Sequence, residues 1–180
     1  IFGLGGIMPN HCYQTVSLRG NVDVIHHLHD ALQEGKRFCD VVSPMPLKTY
    51  LMPEIDETEK YGFETKTPAW YYWRLGFWGT KWDVCDVEIV DEIEMTDYQI
   101  TSENIDKDVE VEAWFTFKCW TAWGPPIPIW KKLHNMGVKV RAYYEDEGMD
   151  FQGSFIDGVD KAWRPHIDEV IEEDEACKYK

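Results

Sequence analysis

Val109-Glu110-Val111-Glu112-Ala113-Trp114-Phe115-Thr116-Phe117 is the stretch from which the fold can be read. Its period of two is that of a β-strand with one face on a core: Val109, Val111, Ala113, Phe115 and Phe117 point inward, and Glu110, Glu112, Trp114 and Thr116 outward. Downstream, Trp123-Gly124 breaks the pattern, and Pro125-Pro126 opens a helix predicted over residues 127–136 and stopped by Gly137. Val138, Val140, Ala142 and Tyr144 then alternate as another strand. Residues 145–148 turn that strand into a further one carrying Met149, Phe151, Gly153 and Phe155.

Upstream, residues 11–19 alternate as a first strand, with Cys12, Val16 and Leu18 on one face and Tyr13, Thr15, Ser17 and Arg19 on the other. Val22, Ile25, Leu28 and Leu32 follow at helical spacing, with Asn21 placed to cap and Gly35 to stop the helix. Residues 38–79 carry Pro44, Pro46, Pro53 and Pro68 among aromatics, and read as a long irregular insertion with Trp70-Tyr71-Tyr72-Trp73 as its core. Residues 83–90 alternate as a second strand, and residues 91–108 read as a hairpin loop into which that strand can extend. The predicted order is β-α-β-β-α-β-β. This is an α+β chain of the split-βαβ, ferredoxin-like kind, with one added strand and a long insertion after the first helix. From Pro165 the tail, with Ile167, Val170 and Ile171 among carboxylates, reads as an acidic amphipathic C-terminal helix. The expected division is a flexible leader, cloning scar or upstream extension at residues 1–7, one domain at 8–158 and an acidic extension at 159–180.

With 180 residues, one well-filled core is expected. Apolar residues at 44% and nine Trp are too much sticky surface for a disordered chain. Cys12, Cys39, Cys85, Cys119 and Cys177 are odd in number and lack a C-x-x-C pair, which with no signal-peptide pattern points to reduced thiols and a cytoplasmic protein. A net charge of −15 argues against anionic membranes and against direct nucleic-acid binding. Base stacking on Tyr13, Trp114 and Tyr143 is opposed by Asp86, Glu88, Glu110 and Glu112, which the alternation puts on the same face.

His26, His27, His29 and Asp30 resemble a metal cluster, with His26 and Asp30 one helical turn apart, but His27 points elsewhere and no other ligand pair accompanies them, so no metal or other cofactor is expected. Gly3-Leu4-Gly5-Gly6 precedes the first strand and is no phosphate cradle. No Ser or Cys stands in a nucleophile-elbow context, so a non-enzymatic role is expected. Trp78, Thr80, Lys81, Trp82 and Asp83, with Trp123, form the alternative ligand loop; its structural reading has the tryptophans plugging the core and Lys81 pairing with a carboxylate.

Four stretches carry a resemblance: Met8-Pro9-Asn10-His11-Cys12, Trp78-Gly79-Thr80-Lys81-Trp82-Asp83, Thr121-Ala122-Trp123-Gly124-Pro125-Pro126-Ile127-Pro128, and Tyr144-Glu145-Asp146-Glu147-Gly148-Met149-Asp150-Phe151-Gln152-Gly153. Over about residues 8–158 the chain resembles the YubB-type family of ferredoxin-like proteins borne by phages and plasmids. The resemblance implies the fold and a mobile-element origin, and no activity.

Charge is the least ordinary feature. Residues 83–112 hold twelve acids against Lys107 alone, residues 113–142 hold five Lys or Arg and no acid, and residues 143–180 are acidic again. Solubility is the plain explanation. The functional one is a phage- or plasmid-type accessory protein that binds a host or phage protein with a basic surface, as a DNA-mimic-like inhibitor of a defence or DNA-processing protein. Asp86, Glu88, Glu110, Glu112, Glu172 and Glu173 are its expected contact residues. A small-ligand or nucleotide-binding enzyme using the two Trp loops, and a virion or assembly component docking by its tail, are the alternatives.

Overall fold

The computed structural model describes residues 10–62, 64–96 and 111–164. The elements are β1 (His11–Asn21), α1 (Val22–Gln33), α2 (Phe38–Val42), a 3-10 turn (Leu47–Leu51), β2 (Ile55–Asp56), α3 (Thr58–Tyr61), β3 (Lys66–Thr67), α4 (Ala69–Phe77), β4 (Cys85–Met95), β5 (Glu112–Ala122), α5 (Ile127–Asn135), β6 (Lys139–Asp146), β7 (Gln152–Ile156) and β8 (Val159–Trp163). The protein is thus α+β. Six strands form one sheet in the order β4-β5-β1-β6-β7-β8, every neighbour antiparallel, and β2 and β3 make a separate two-stranded ribbon.

The alternation read from β1 and β5 is the alternation observed. Cys12, Val16, Leu18, Ala113, Phe115 and Phe117 are buried, on the side where α1 meets β1, β4 and β5 and α5 meets β6. Asn21 caps α1, its side-chain oxygen accepting from the N–H of Asp23 and Val24. Ile25, Leu28 and Leu32 face the sheet. Gly137, at φ +88°, ends α5 in a left-handed conformation closed to most residues. The centre of the core is aromatic: Phe117 packs on Phe115 at 5.8 Å and on Phe38 at 5.6 Å, and Phe38 meets Trp130 at 6.0 Å.

Several boundaries move. β4 starts at Cys85 and runs on to Met95, through the first part of the expected loop, and β5 starts at Glu112 and continues to Ala122. The insertion is largely helical. Its aromatic run Trp70-Tyr71-Tyr72-Trp73 sits on α4 and is only half-buried, so the buried anchor is instead Trp78, just past that helix. The reason is helical geometry, which spreads four consecutive side chains around the axis, so that at most part of the run can face inward. Residues 1–9 and 165–180, with the expected leader and acidic helix, lie outside the described residues.

The largest addition is β8, which pairs along the whole of β7 and continues the sheet through residues expected in the C-terminal extension. Asp157 and Gly158, both at positive φ, are the two-residue loop of the β7–β8 hairpin. Inside this addition Gly153 faces Tyr144, whose hydroxyl donates to Asp160 at 2.6 Å. A Cβ on Gly153 would run into the Tyr144 ring and hydroxyl and the Lys161 carbonyl. Gly153→Ala is therefore expected to cost about 2 kcal/mol, read as a lower urea midpoint.

Candidate functional site

The sheet face opposite the core is open, with Tyr13 42% and Tyr143 57% exposed. The register lays its side chains out in rows that cross the strands. One row runs Trp120, Tyr13, Glu145, Gln152, Trp163 from β5 to β8. The next, two residues along each strand, runs Lys118, Thr15, Tyr143, Ser154, Lys161. A third runs Thr116, Ser17, Arg141, Ile156, Val159. Two adjoining hollows of about 520 and 450 Å³ share Tyr13 and Lys118. The larger extends over Tyr143, Glu145 and Trp163; the smaller lies under His11, stacked on Trp120 at 4.0 Å.

The acids expected to oppose a ligand on this face are mostly engaged. Glu112 is held by Arg19 and Lys139, each at 2.7 Å, and the Lys139 and Arg19 cations keep its carboxyl below the ordinary range. Asp86 accepts from the Trp120 indole N–H at 2.7 Å. Glu88 stands opposite Lys118 at the β4 end. Glu110, Glu172 and Glu173 lie outside the described residues. Of the three described members of that set, Glu112 is bound within the sheet, while Asp86 and Glu88 share the exposed β4 strand. The register adds Asp91, Glu92 and Glu94 to that strand, all exposed.

Compared with known proteins, the chain matches no family model, no curated protein and no solved structure.

The two Trp loops do meet. Gly79, at φ +80°, passes so close to α5 that a Cβ there would lie 2.7 Å from Pro128 Cδ, and Thr80 donates to the Ala122 carbonyl at 3.0 Å. Most of the ligand-loop residues prove structural. Trp78 and Thr80 are wholly buried. The Asp83 carboxylate accepts from the backbone N–H of Cys39 and Val84 at 2.8 Å and of Asp40 at 3.2 Å, fastening the start of α2 to the loop before β4. Burial outweighs those three donors and raises its pKa. Lys81 does not pair with Asp83: its ammonium lies 5.2 Å from the Trp123 ring, 5.4 Å from Trp82 and 5.9 Å from Tyr71. The aromatic cage that a cationic ligand would enter is filled by this chain's own lysine.

His26 and His27 are exposed, whereas His29 is buried edge-on against Phe115 at 5.2 Å. Among the described residues no three ligating side chains converge. Cys12, Cys39, Cys85 and Cys119 are free, and burial pushes all four thiols up, Cys12 to about 12, so none is a thiolate nucleophile at neutral pH. Among the described residues no helix is long and apolar enough to cross a membrane.

The residues that the sequence reading missed are Lys118, Arg141, Lys161 and Trp163. The last two were hidden because β8 was not anticipated, although Asp157-Gly158 between Ser154-Phe155-Ile156 and Val159 is the strongest short-range hairpin signal.

Proposed function

We propose that the protein is a ferredoxin-like interaction module that binds a basic surface of a partner protein through the carboxylates of β4. The order β4-β5-β1-β6, with α1 after β1 and α5 after β5, supports the split-βαβ reading. The observation that carries the binding reading is the edge strand itself. Asp86, Glu88, Asp91, Glu92 and Glu94 are exposed on it, no cation stands on it, and among the described residues no strand pairs with its outer side. Register shifts after Cys85, Ile89 and Asp91 break its backbone row, so it cannot template a continuous added strand and a second copy is kept from pairing there. What remains available is the row of side-chain charge.

Five carboxylates spread over about 27 Å of strand are sparser than the charges of duplex DNA, which recur about every 1.7 Å. That spacing favours a basic protein segment over close mimicry of the duplex. If the chain is of the phage- and plasmid-borne kind that its motifs resemble, a host-cell protein is the partner to look for.

The test is capture from bacterial lysate on immobilised protein, eluted with a salt gradient, beside a variant carrying Glu88→Gln, Asp91→Asn, Glu92→Gln and Glu94→Gln. A basic protein held by the wild type, released at moderate salt and weakened about tenfold or more by neutralisation is the expected result. Equal retention by both proteins would remove the edge from the reading.

A further inference from the structure

We infer that the open sheet face is a binding site for single-stranded nucleic acid, with bases stacking on Tyr13, Tyr143 and Trp163 and phosphates met by Lys118, Arg141 and Lys161. This does not rest on the β4 interface, which lies at the edge of the sheet and is acidic.

Three observations converge. The first is charge. Although the chain carries −15, the open-face positions of β1 and β5–β8 hold Arg19, Lys118, Lys139, Arg141 and Lys161 against Glu112 and Glu145. Glu112 is already neutralised by two of those cations, leaving Lys118, which lines the larger hollow, with Arg141 and Lys161 on the same face, opposed by Glu145 and, from β4 across from Lys118, by Glu88. The second is exposed ring area: Tyr13, Tyr143 and Trp163 are 42%, 57% and 44% exposed around one concavity, where burial would ordinarily claim them. The third is spacing. The row with Trp120, Tyr13 and Trp163 and the row with Lys118 and Lys161 are two residues apart on each strand, about 7 Å. That is the reach from a base to the backbone that carries it.

A strand laid across β5, β1, β6, β7 and β8 covers four inter-strand steps, about 19 Å. Its backbone runs from Lys118 towards Lys161, away from the β4 carboxylates that would repel it. Duplexes are disfavoured, because the rings can stack only on bases that are unpaired. Glu145 and Gln152, adjacent in the aromatic row, add an acceptor and an amide for base edges.

The experiment is fluorescence anisotropy with a labelled oligouridylate of about ten nucleotides, a duplex of the same length, and UMP as competitor. The expected result is binding of the single strand well above either control. Tyr13→Ala and Tyr143→Ala should each weaken it about tenfold. Lys118→Ala and Arg141→Ala should each lower the dependence of log K on log salt by about one. Lys131→Ala, which removes the same charge from α5, should change nothing. All five positions are solvent-exposed, and unchanged melting temperatures verify that the variants fold. Absence of binding, or an equal loss in Lys131→Ala, overturns the proposal. Duplex binding as tight as the single strand does the same, and UMP binding as tight would reassign the face to mononucleotides.

Discussion

Trp78→Ala is expected to unfold about 4 kcal/mol more easily than the wild type, the largest single loss foreseen. The indole is wholly buried, and its N–H donates to the Ser43 carbonyl at 2.9 Å, tying the end of α4 to the loop after α2. Arg74 lies over the ring at 4.9 Å and Trp73 meets it edge-on at 5.8 Å, so truncation leaves a cavity, an unpaired carbonyl and a guanidinium that keeps only Trp70 of its two rings. Trp78→Phe separates these terms. It keeps most of the buried area and loses the hydrogen bond, and should cost about 1.5 kcal/mol. Urea denaturation with an unchanged m-value is the measurement; a loss under 1 kcal/mol in Trp78→Ala, on the order of an ordinary surface change, would mean that the insertion is not anchored there.

Asp83→Ala should cost about 3 kcal/mol, because the N–H groups of Cys39, Asp40 and Val84 lose their shared acceptor inside the protein. Asp83→Asn keeps the shape but turns an N–H2 group towards one of those donors, and should fall between. The pair also has a pH signature. Burial raises the Asp83 carboxyl above its ordinary 3.8, so the folded state holds the proton more readily than the unfolded chain. That contribution to stability is full below 3.8, declines as pH rises through the folded value and is flat above it. The Asn variant lacks this slope, so the stability difference between wild type and Asp83→Asn should shift towards Asn across that window. A difference independent of pH would contradict the raised value.

How far the sequence could be read depended on whether one element's pattern was enough. Alternation at Cys12, Val16 and Leu18 and at Ala113, Phe115 and Phe117 is a local signal imposed by a one-sided core, and it located β1 and β5. Asn21, Gly137 and the Pro125-Pro126 pair act within one turn of their helices, and they too were legible. Trp78 and Asp83 were singled out for the right residues and the wrong chemistry: a tryptophan, a threonine and a carboxylate on a loop look alike whether they bind a ligand or fasten α2 and α4. Distinguishing these needs the positions of Ser43, Ala122 and Cys39, which lie 35 to 44 positions away. Charge hides its partners in a different way. Counting Glu112 as a free carboxylate on the open face ignored Arg19 and Lys139, which only strand pairing brings beside it. Overlooking the Asp157-Gly158 turn removed Lys161 and Trp163 from the same face.

The place of β1 in the middle of the sheet has a consequence for synthesis. Among the described strands it is the first made, yet Gln14 bonds to Thr121 across 107 positions and Asn10 to Asp146 across 136. Neither neighbour of β1 exists until most of the domain has left the ribosome, so contact order is high and assembly is slow and late. Until β5 and β6 emerge, the nascent chain carries a strand with two bare edges and an uncovered apolar face, which makes this interval the one in which it depends most on chaperones.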